Sequence, residues 1–273
     1  VAAELEGVHA GLEVELVVVE TSGDRELDAP LSELGGQGIF VKEVQRALLD
    51  VNADLAVHSA KDLPSTTPEG LELVAVPPRA DSADALVGRS LAGLGPGATV
   101  ATGSPRRRSL LRSLRPDLNL VELRGNMATR LAAAGSGGVD AVVAAVAALD
   151  RLGQRELVAE RLEPEIFTPQ VGQGALAIEA RADDTRTLEL LAAIDDASSH
   201  RCLDAERAFL VGIGAGCTVP AGAWCTEDEG VLRLRAVFER PDGSMARFEQ
   251  LGTAPGALGR AAATELAQAT GRG

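Results

Sequence analysis

Four stretches of the chain combine residue types that bind or move charge. The first is Thr102-Gly103-Ser104-Pro105-Arg106-Arg107-Arg108. Ser104 suits a helix N-cap and Pro105 the first helical position. Leu110, Leu111 and Leu114 then mark one helix face, which puts Arg106 and Arg107 in the first turn. The helix dipole disfavours cations there. Two guanidinium forks at such a place point to an anion shared with the free backbone N–H groups, and a solvated basic cluster is the competing reading. The second stretch is Ser59-Ala60-Lys61-Asp62-Leu63-Pro64. Its carboxylate, Asp62, would stabilise a cationic intermediate or shuttle protons. An Asx-type turn with Lys61 paired to Asp62 accounts for the same residues. His58, inside the preceding strand, reads as a core or supporting histidine.

The third group is Arg124, Arg130 and Arg151. Arg124 follows a strand directly, Arg130 sits in the next helix, and Arg151 follows a later strand. Equivalent strand-end positions in successive β-loop-α units would bring them to one cleft with Arg106 and Arg107, because open α/β sheets bind ligands beyond their carboxyl ends. Several arginines on one sheet edge of a chain with net charge −14 suggest a polycarboxylate or phosphate ligand. The fourth stretch, Gly212-Ile213-Gly214-Ala215-Gly216-Cys217, imitates a nucleotide-binding loop. A helix precedes it and no long helix follows, which argues against that use. What remains is a thiol in a glycine loop: an inert thiol, or an attachment point or nucleophile. Cys202, on a helix, and Cys225, in a strand beside Trp224, read as structural.

The elements that must position these groups alternate. Leu12–Glu20 reads as a strand by its β-branched run, and Gly38–Val51 as a helix with Phe40, Val44 and Leu48 on one face. Asp54–Ser59 and Leu71–Val76 read as strands. A second unit has strands at Thr99–Thr102, Leu118–Leu123 and Asp140–Ala147, with helices at Ser104–Leu114 and Met127–Ala134. Ala175–Ala180 is a late strand. Repeated β-loop-α predicts an α/β sheet, mostly parallel. The last third differs: a helix over His200–Leu210, then a meander of Gly222–Cys225, Val231–Glu239 and Met245–Leu251, and a helix ending at Thr264–Thr270. The chain is therefore read as two α/β domains, 1–77 with 175–192 and 83–168, and a small α+β C-terminal domain, 197–273.

Composition excludes several classes. Of 26 basic residues only Lys42 and Lys61 are lysines, a skew that GC bias explains, so position rather than number must single out functional arginines. The acidic balance repels nucleic acid and anionic membranes, and with Tyr absent and one Trp no base-stacking platform is available. The longest apolar run, Ala141–Leu149, is far short of the roughly 20 residues that span a bilayer. The opening residues carry Glu4, Glu6, Glu13 and Glu15 without a basic segment, so no targeting peptide is expected and the cytoplasm is the default. Three cysteines without Cys-x-x-Cys or Cys/His spacing predict neither a disulfide framework nor a metal site.

Five motifs occur together: GGQGIFVKE (Gly35–Glu43), AVHSAKDLP (Ala56–Pro64), LRGNMATRL (Leu123–Leu131), VGQGALAIE (Val171–Glu179) and GAGCTVP (Gly214–Pro220). In this order, and over nearly the whole chain, the sequence resembles the porphobilinogen deaminase family. The resemblance implies two domains like type 2 periplasmic binding proteins and a third bearing a cofactor loop. It implies a transferase that condenses four porphobilinogen molecules head to tail into the linear tetrapyrrole hydroxymethylbilane, releasing ammonia, in haem and related biosynthesis. It implies a dipyrromethane cofactor held on Cys217 through a thioether. Asp62 would be the catalytic carboxylate, facing pyrrole N–H groups and the positive charge that forms as ammonia leaves. Ser59, Lys61, Asp62, Ser104, Arg106, Arg107 and Arg130 would hold the cofactor. Arg106, Arg107, Arg124, Arg130 and Arg151 would bind the acetate and propionate groups of substrate and growing chain. A monomer is the family expectation.

Departures accompany the match. Family members usually open with a strand and an Arg-x-Ser-Pro-Leu-Ala type motif, whereas this sequence opens at Val1 in what reads as the following helix. A chain lacking that segment is expected to retain cofactor less firmly and to be less stable. Gln37 stands where Lys is common, and Pro105 where another apolar residue is common. Two other readings stay open: a solute-binding protein with an arginine-lined cleft, for which Cys217, Asp62 and the third domain have no use, and a degenerate deaminase fold kept as an interaction module.

Overall fold

Three sheets organise the chain in the computed structural model, which describes residues 1–19, 39–123, 125–134, 137–214 and 219–271. The first contains β1 (Leu55–Ser59), β2 (Leu71–Ala75) and β8 (Leu176–Arg181) in the order β1-β8-β2. Helix α1 (Ala2–Val8) buries Leu5 in the apolar cluster beside this sheet. Helix α2 (Ile39–Leu49) turns Val41, Ala47 and Leu48 inward, the spacing of one helical face, and packs on β1 and β8. Helix α6 (Thr185–Ala192) packs on β2.

The second sheet runs β5-β4-β6-β3-β7. Its strands are β3 (Asp84–Val87), β4 (Thr99–Ala101), β5 (Asn119–Val121), β6 (Ala141–Ala145) and β7 (Val158–Leu162). Helices α3 (Pro105–Leu114), α4 (Met127–Ala133) and α5 (Val146–Arg151) follow β4, β5 and β6 in turn. β4 lies between β5 and β6 and is parallel to both, so the carboxyl ends of the three share one edge. In the third unit β9 (Ala221–Asp228), β10 (Val231–Glu239) and β11 (Met245–Gly252) form an antiparallel meander. Its inner face packs on α7 (Ala197–Gly212) and α8 (Pro255–Ala269) around Phe209, Leu234, Phe238 and Leu258. The α/β class with an α+β tail is thus as the sequence implied.

Several local readings change. The sheets are less parallel than repeated β-loop-α suggested: β3 runs antiparallel to β6 and β7, and β8 antiparallel to β1 and β2. Residues 12–19 form no strand, and Leu16, Val17 and Val18 are exposed. Leu12 and Val14 are half-buried against the apolar cluster beside the first sheet, but among the described residues no neighbouring strand pairs with this run, and β-branched residues alone do not make one. The strand read over Asp140–Ala147 ends at Ala145 and passes directly into α5, so Arg151 closes a helix instead of following a strand. Strands β3 and β7 and helix α6 had no counterpart in the sequence reading.

The chain passes between the first two sheets twice, through residues 76–83 and 163–175. One carboxylate ties both passages to the third unit. Glu206 on α7 is fully buried and accepts both terminal guanidinium nitrogens of Arg79 in the first passage. It also accepts Gly172 N–H in the second passage at 2.8 Å and Cys225 N–H in β9 at 2.8 Å. Such a pair contributes chiefly by being complete, because removing one member strands the other's charge in the interior. Glu206→Gln is therefore expected to lower unfolding free energy by about 3–5 kcal/mol in urea titrations at pH 7, leaving Arg79 unpaired. Glu206→Leu combined with Arg79→Met should recover part of that loss.

Candidate active site

Two segments with opposite needs meet where the three units join. The 3₁₀ turn Ala60–Asp62 continues directly from β1, and its backbone is held by Ala60 N–H donating to Ala175 O at 3.1 Å. Gly172 presses against this turn with φ +73°; a Cβ there would lie 2.8 Å from Ala60 C and 2.9 Å from Lys61 N, so glycine is required on both counts. Gln170 Nε2 donates to Lys61 O at 3.0 Å. Residues 170–175 thereby clamp the turn that presents Lys61 and Asp62.

The other segment is the start of α3. Ser104 caps it as expected, accepting Arg107 N–H, with Pro105 at the first helical position. Arg106 and Arg107 turn inward and are 3 % and 8 % exposed. Their position in the first turn points to a ligand anion shared with free backbone N–H groups; the structure instead pairs both guanidinium groups with a carboxylate of the chain itself. Asp84, opening β3 at 0 % exposure, accepts Arg106 Nη2 at 2.8 Å and Arg107 Nε and Nη2 at 3.0 and 2.6 Å. Gln173 Nε2 donates to the same carboxylate at 2.9 Å. Burial would raise the Asp84 pKa, but the two guanidinium groups outweigh it and hold the carboxyl far below its ordinary range. Arg106 Nη1 also donates to Thr168 O at 2.7 Å, and Arg107 Nη1 to Val143 O at 3.0 Å. Gly222 of β9 lies so close that a Cβ would sit 2.8 Å from Arg106 Cδ and 2.5 Å from Pro169 O. The third unit is seated directly on this arginine.

Between the segments lies a pocket whose wall includes Lys61, Ser104, Arg106, Gln170 and Arg207. Leu63, Val171, Phe209, Leu210 and Val219 add apolar surface. Cationic and hydroxyl donors beside apolar side chains suit carboxylate groups carried on an apolar frame. Burial lowers the Lys61 pKa and Arg107 adds to the effect, while Asp62 and Asp84 oppose it. Asp62 itself opens to solvent, yet the surrounding protein displaces enough hydration to raise its pKa; Lys61 and His58 pull it back.

The remaining predicted residues divide. Ser59 ends β1 beside the turn. Arg130 on α4 is half-buried, donates to Gly125 O at 2.8 Å, and has its pKa lowered by burial and then by Arg107, which places it in the same electrostatic neighbourhood. Arg151 is exposed and donates to Gly174 O at 3.0 Å, outside the pocket wall. Arg124 and Cys217 lie outside the described residues. His58 is buried in β1, its Nε2 3.1 Å from the Glu179 carboxylate, to which Gln45 Nε2 donates; this is a core position, one of the two readings offered for it. Cys202 and Cys225 are buried free thiols, and a mutual hydrogen bond and burial raise the Cys225 pKa. Asp84, Gln170, Gln173 and Arg207 were missed. An Asp heading the apolar run Asp84-Ala85-Leu86-Val87 and a Gln between two glycines in Gly172-Gln173-Gly174 were the available signals.

Known proteins place this arrangement in context. A family model described as "Porphobilinogen deaminase, dipyromethane cofactor binding domain" matches residues 1–189, and "Porphobilinogen deaminase, C-terminal domain" matches residues 200–268. A porphobilinogen deaminase of Roseiflexus sp. (strain RS-1) is 48 % identical over 98 % of this chain and 90 % of that relative. One of Syntrophotalea carbinolica is 45 % identical over 98 % of this chain and 86 % of that relative. Among solved structures, a TRAP periplasmic solute binding protein from Desulfovibrio salexigens covers 71 % of this chain and 65 % of its own at 15 % identity, with TM-score 0.42.

Removing the internal anion tests the site's construction. Asp84→Asn is expected to cost about 3–5 kcal/mol at pH 7, because two buried guanidinium groups lose their counter-charge. The folded pKa of Asp84 is depressed, so its contribution is complete above the unfolded value of about 3.9 and drains as pH falls toward the folded one. Urea titrations should show a constant gap between parent and variant from neutral pH down to about 5 and a shrinking gap below about 4.

Proposed function

Because the chain belongs to the porphobilinogen deaminase family, transferases that work on a dipyrromethane cofactor, we propose that its pocket holds that cofactor and that Asp62 is the catalytic carboxylate. The reaction is the stepwise condensation of porphobilinogen into a linear tetrapyrrole with loss of ammonia, a step of tetrapyrrole biosynthesis. The observation that carries the residue assignment is the convergence of Lys61, Ser104 and Arg106 on one pocket beside Asp62. Cys217 is assigned as the point of attachment; Leu210 and Val219, on either side of it in sequence, both line that pocket. When bound, the dipyrromethane supplies the pyrrole carbon on which the chain grows.

The chain's own residues then have distinct tasks. Lys61, Ser59 and Ser104 hold cofactor carboxylates. Arg106 and Arg107, anchored on Asp84, and Arg130 present further positive charge to cofactor and substrate. Arg124 and Arg151 are assigned to the carboxylates of incoming or outgoing units. Asp62, ionised, accepts hydrogen bonds from pyrrole N–H groups and offsets the positive charge that develops when ammonia departs. Attachment to the protein makes each addition effectively intramolecular.

The domains proposed are 1–77 with 175–192, 83–168 and 197–273. No helix among the described residues is long and apolar enough to cross a membrane. Free buried thiols at Cys202 and Cys225 fit a reducing compartment, so the cytoplasm is proposed, and a monomer that binds neither nucleic acid nor membrane.

Intact mass spectrometry tests the cofactor assignment. The purified protein is expected to exceed its sequence mass by two porphobilinogen-derived pyrroles, and Cys217→Ser to show no surplus. A surplus that survives the substitution would move the attachment elsewhere.

The pH profile tests Asp62. Activity needs the carboxylate ionised, so the acid limb of kcat/KM should lie above the ordinary aspartate value of about 3.9, since burial raises this pKa. Lys61 lowers it, so Lys61→Met should move the limb to higher pH. A limb that does not move would assign it to another group.

A further inference from the structure

We propose that Arg207 is an additional carboxylate-binding residue, closing the pocket from the third unit. This rests on the cofactor and substrate reading above and extends it to a residue outside the arginine set implied by the strand-end motifs.

Three cationic side chains line the pocket, and they come from three parts of the chain: Lys61 after β1, Arg106 on α3 and Arg207 on α7. No carboxylate is among the described residues that line it. The nearly buried arginines of the core are answered by acids: Arg79 by Glu206, and Arg106 and Arg107 by Asp84. Arg207 is not. Among the described residues it forms no ion pair; its Nη1 donates to Pro64 O at 3.0 Å and its Nη2 to Ser65 O at 3.3 Å. Burial lowers its pKa, and the more distant charges of Glu179 and Asp204 oppose this only in part. A guanidinium nonetheless stays charged. A half-buried cation whose hydrogen-bond partners are two neutral carbonyls, among described lining residues that include no acid, keeps a charge that no ion pair neutralises for whatever enters. Its five N–H donors exceed the two bonds present, so an incoming carboxylate has donors to use without dissolving the existing contacts.

The same two bonds give Arg207 a second consequence. Pro64 and Ser65 lie two and three residues past Asp62. A carboxylate held by Arg207 is thereby registered against the turn that presents the catalytic group. Binding and alignment are linked through one side chain.

The test uses the full chain in a Cys217→Ser background, where no covalent loading intervenes, and titrates it calorimetrically with porphobilinogen. Arg207→Gln is expected to weaken binding about 10- to 100-fold, the range for losing a charge-assisted contact. Arg207→Lys, which keeps the charge and loses the fork, should lie between variant and parent. A purely structural arginine would lower the melting temperature and leave affinity unchanged, and that result overturns the proposal while the family reading stands. Should Arg207→Gln fail to fold, Arg207→Lys decides: affinity equal to the parent's overturns the proposal, and a weakened affinity supports it. If the parent itself binds no porphobilinogen, the pocket assignment falls first and Arg207's role with it. An independent readout is intact mass of Arg207→Gln with Cys217 restored, expected to show a reduced fraction of cofactor-bearing protein.

Discussion

An ionised carboxylate cannot be buried without donors arranged around it, and two such carboxylates determine how this molecule is put together. Asp84 gathers Arg106, Arg107 and Gln173; Glu206 gathers Arg79 and the N–H groups of Gly172 and Cys225. The donors come from different sheets and from both passages between them. Each carboxylate therefore fixes distant pieces of chain relative to one another, at the cost of about 3–5 kcal/mol if either charge is removed alone. Apolar packing holds each unit together around its own cluster, but the relative placement of Lys61, Arg106 and β9 rests on these polar knots.

Asp84 also sets the electrostatics of the pocket. Two guanidinium groups on one carboxylate leave a net positive charge, so Arg106 and Arg107 are rigid without being neutralised. Preorganised charge of this kind need not reorganise when a ligand arrives, which is what makes it effective in a site shielded from water. The surrounding chain, with net charge −14, would repel a multi-carboxylate substrate at long range. Attraction must then be local, within about the 8–10 Å over which salt leaves charges visible. That favours a concave wall with Lys61, Arg106 and Arg207 facing one another over a basic face spread across the surface.

Much of this was legible in the residues. Ser104-Pro105 announced the start of α3, and β4, β5 and β6 are neighbouring parallel strands, so their carboxyl ends share the edge that strand-end reasoning required. The dipole argument pointed to a ligand anion at Arg106 and Arg107, whereas the structure shows a carboxylate of the chain, Asp84, paired with both. Asp84 lies more than 20 positions earlier in a four-residue strand, and runs that short and fully buried show no period by which to recognise them. Residues 12–19 illustrate the reverse error: a strong β-branched run that pairs with no strand among the described residues, although Leu12 and Val14 pack on the first unit's apolar cluster. Arg207 was invisible because it lies on a helix of the third unit, where local sequence gives no hint that the side chain reaches Pro64 and Ser65.

The partner of each arginine sorts these residues by task. Arg79, Arg106, Arg107 and Arg161 donate to carboxylates, and an entering anion would have to compete with a charge already in place. Arg130, Arg151 and Arg207 donate to the carbonyls of Gly125, Gly174, Pro64 and Ser65. A neutral carbonyl satisfies one N–H without cancelling the guanidinium charge, so the bond orients the side chain and leaves its attraction for a carboxylate intact. Ligand binding then costs such a residue neither a new rotamer nor a broken ion pair. Arg106 belongs to the anchoring class yet also borders the pocket, which makes it the point where framework and ligand share one side chain. On this division Arg79 and Arg161 should set stability, Arg130, Arg151 and Arg207 affinity, and Arg106 and Arg107, two charges on one carboxylate, both, a separation that composition alone, with almost every basic residue an arginine, does not reveal.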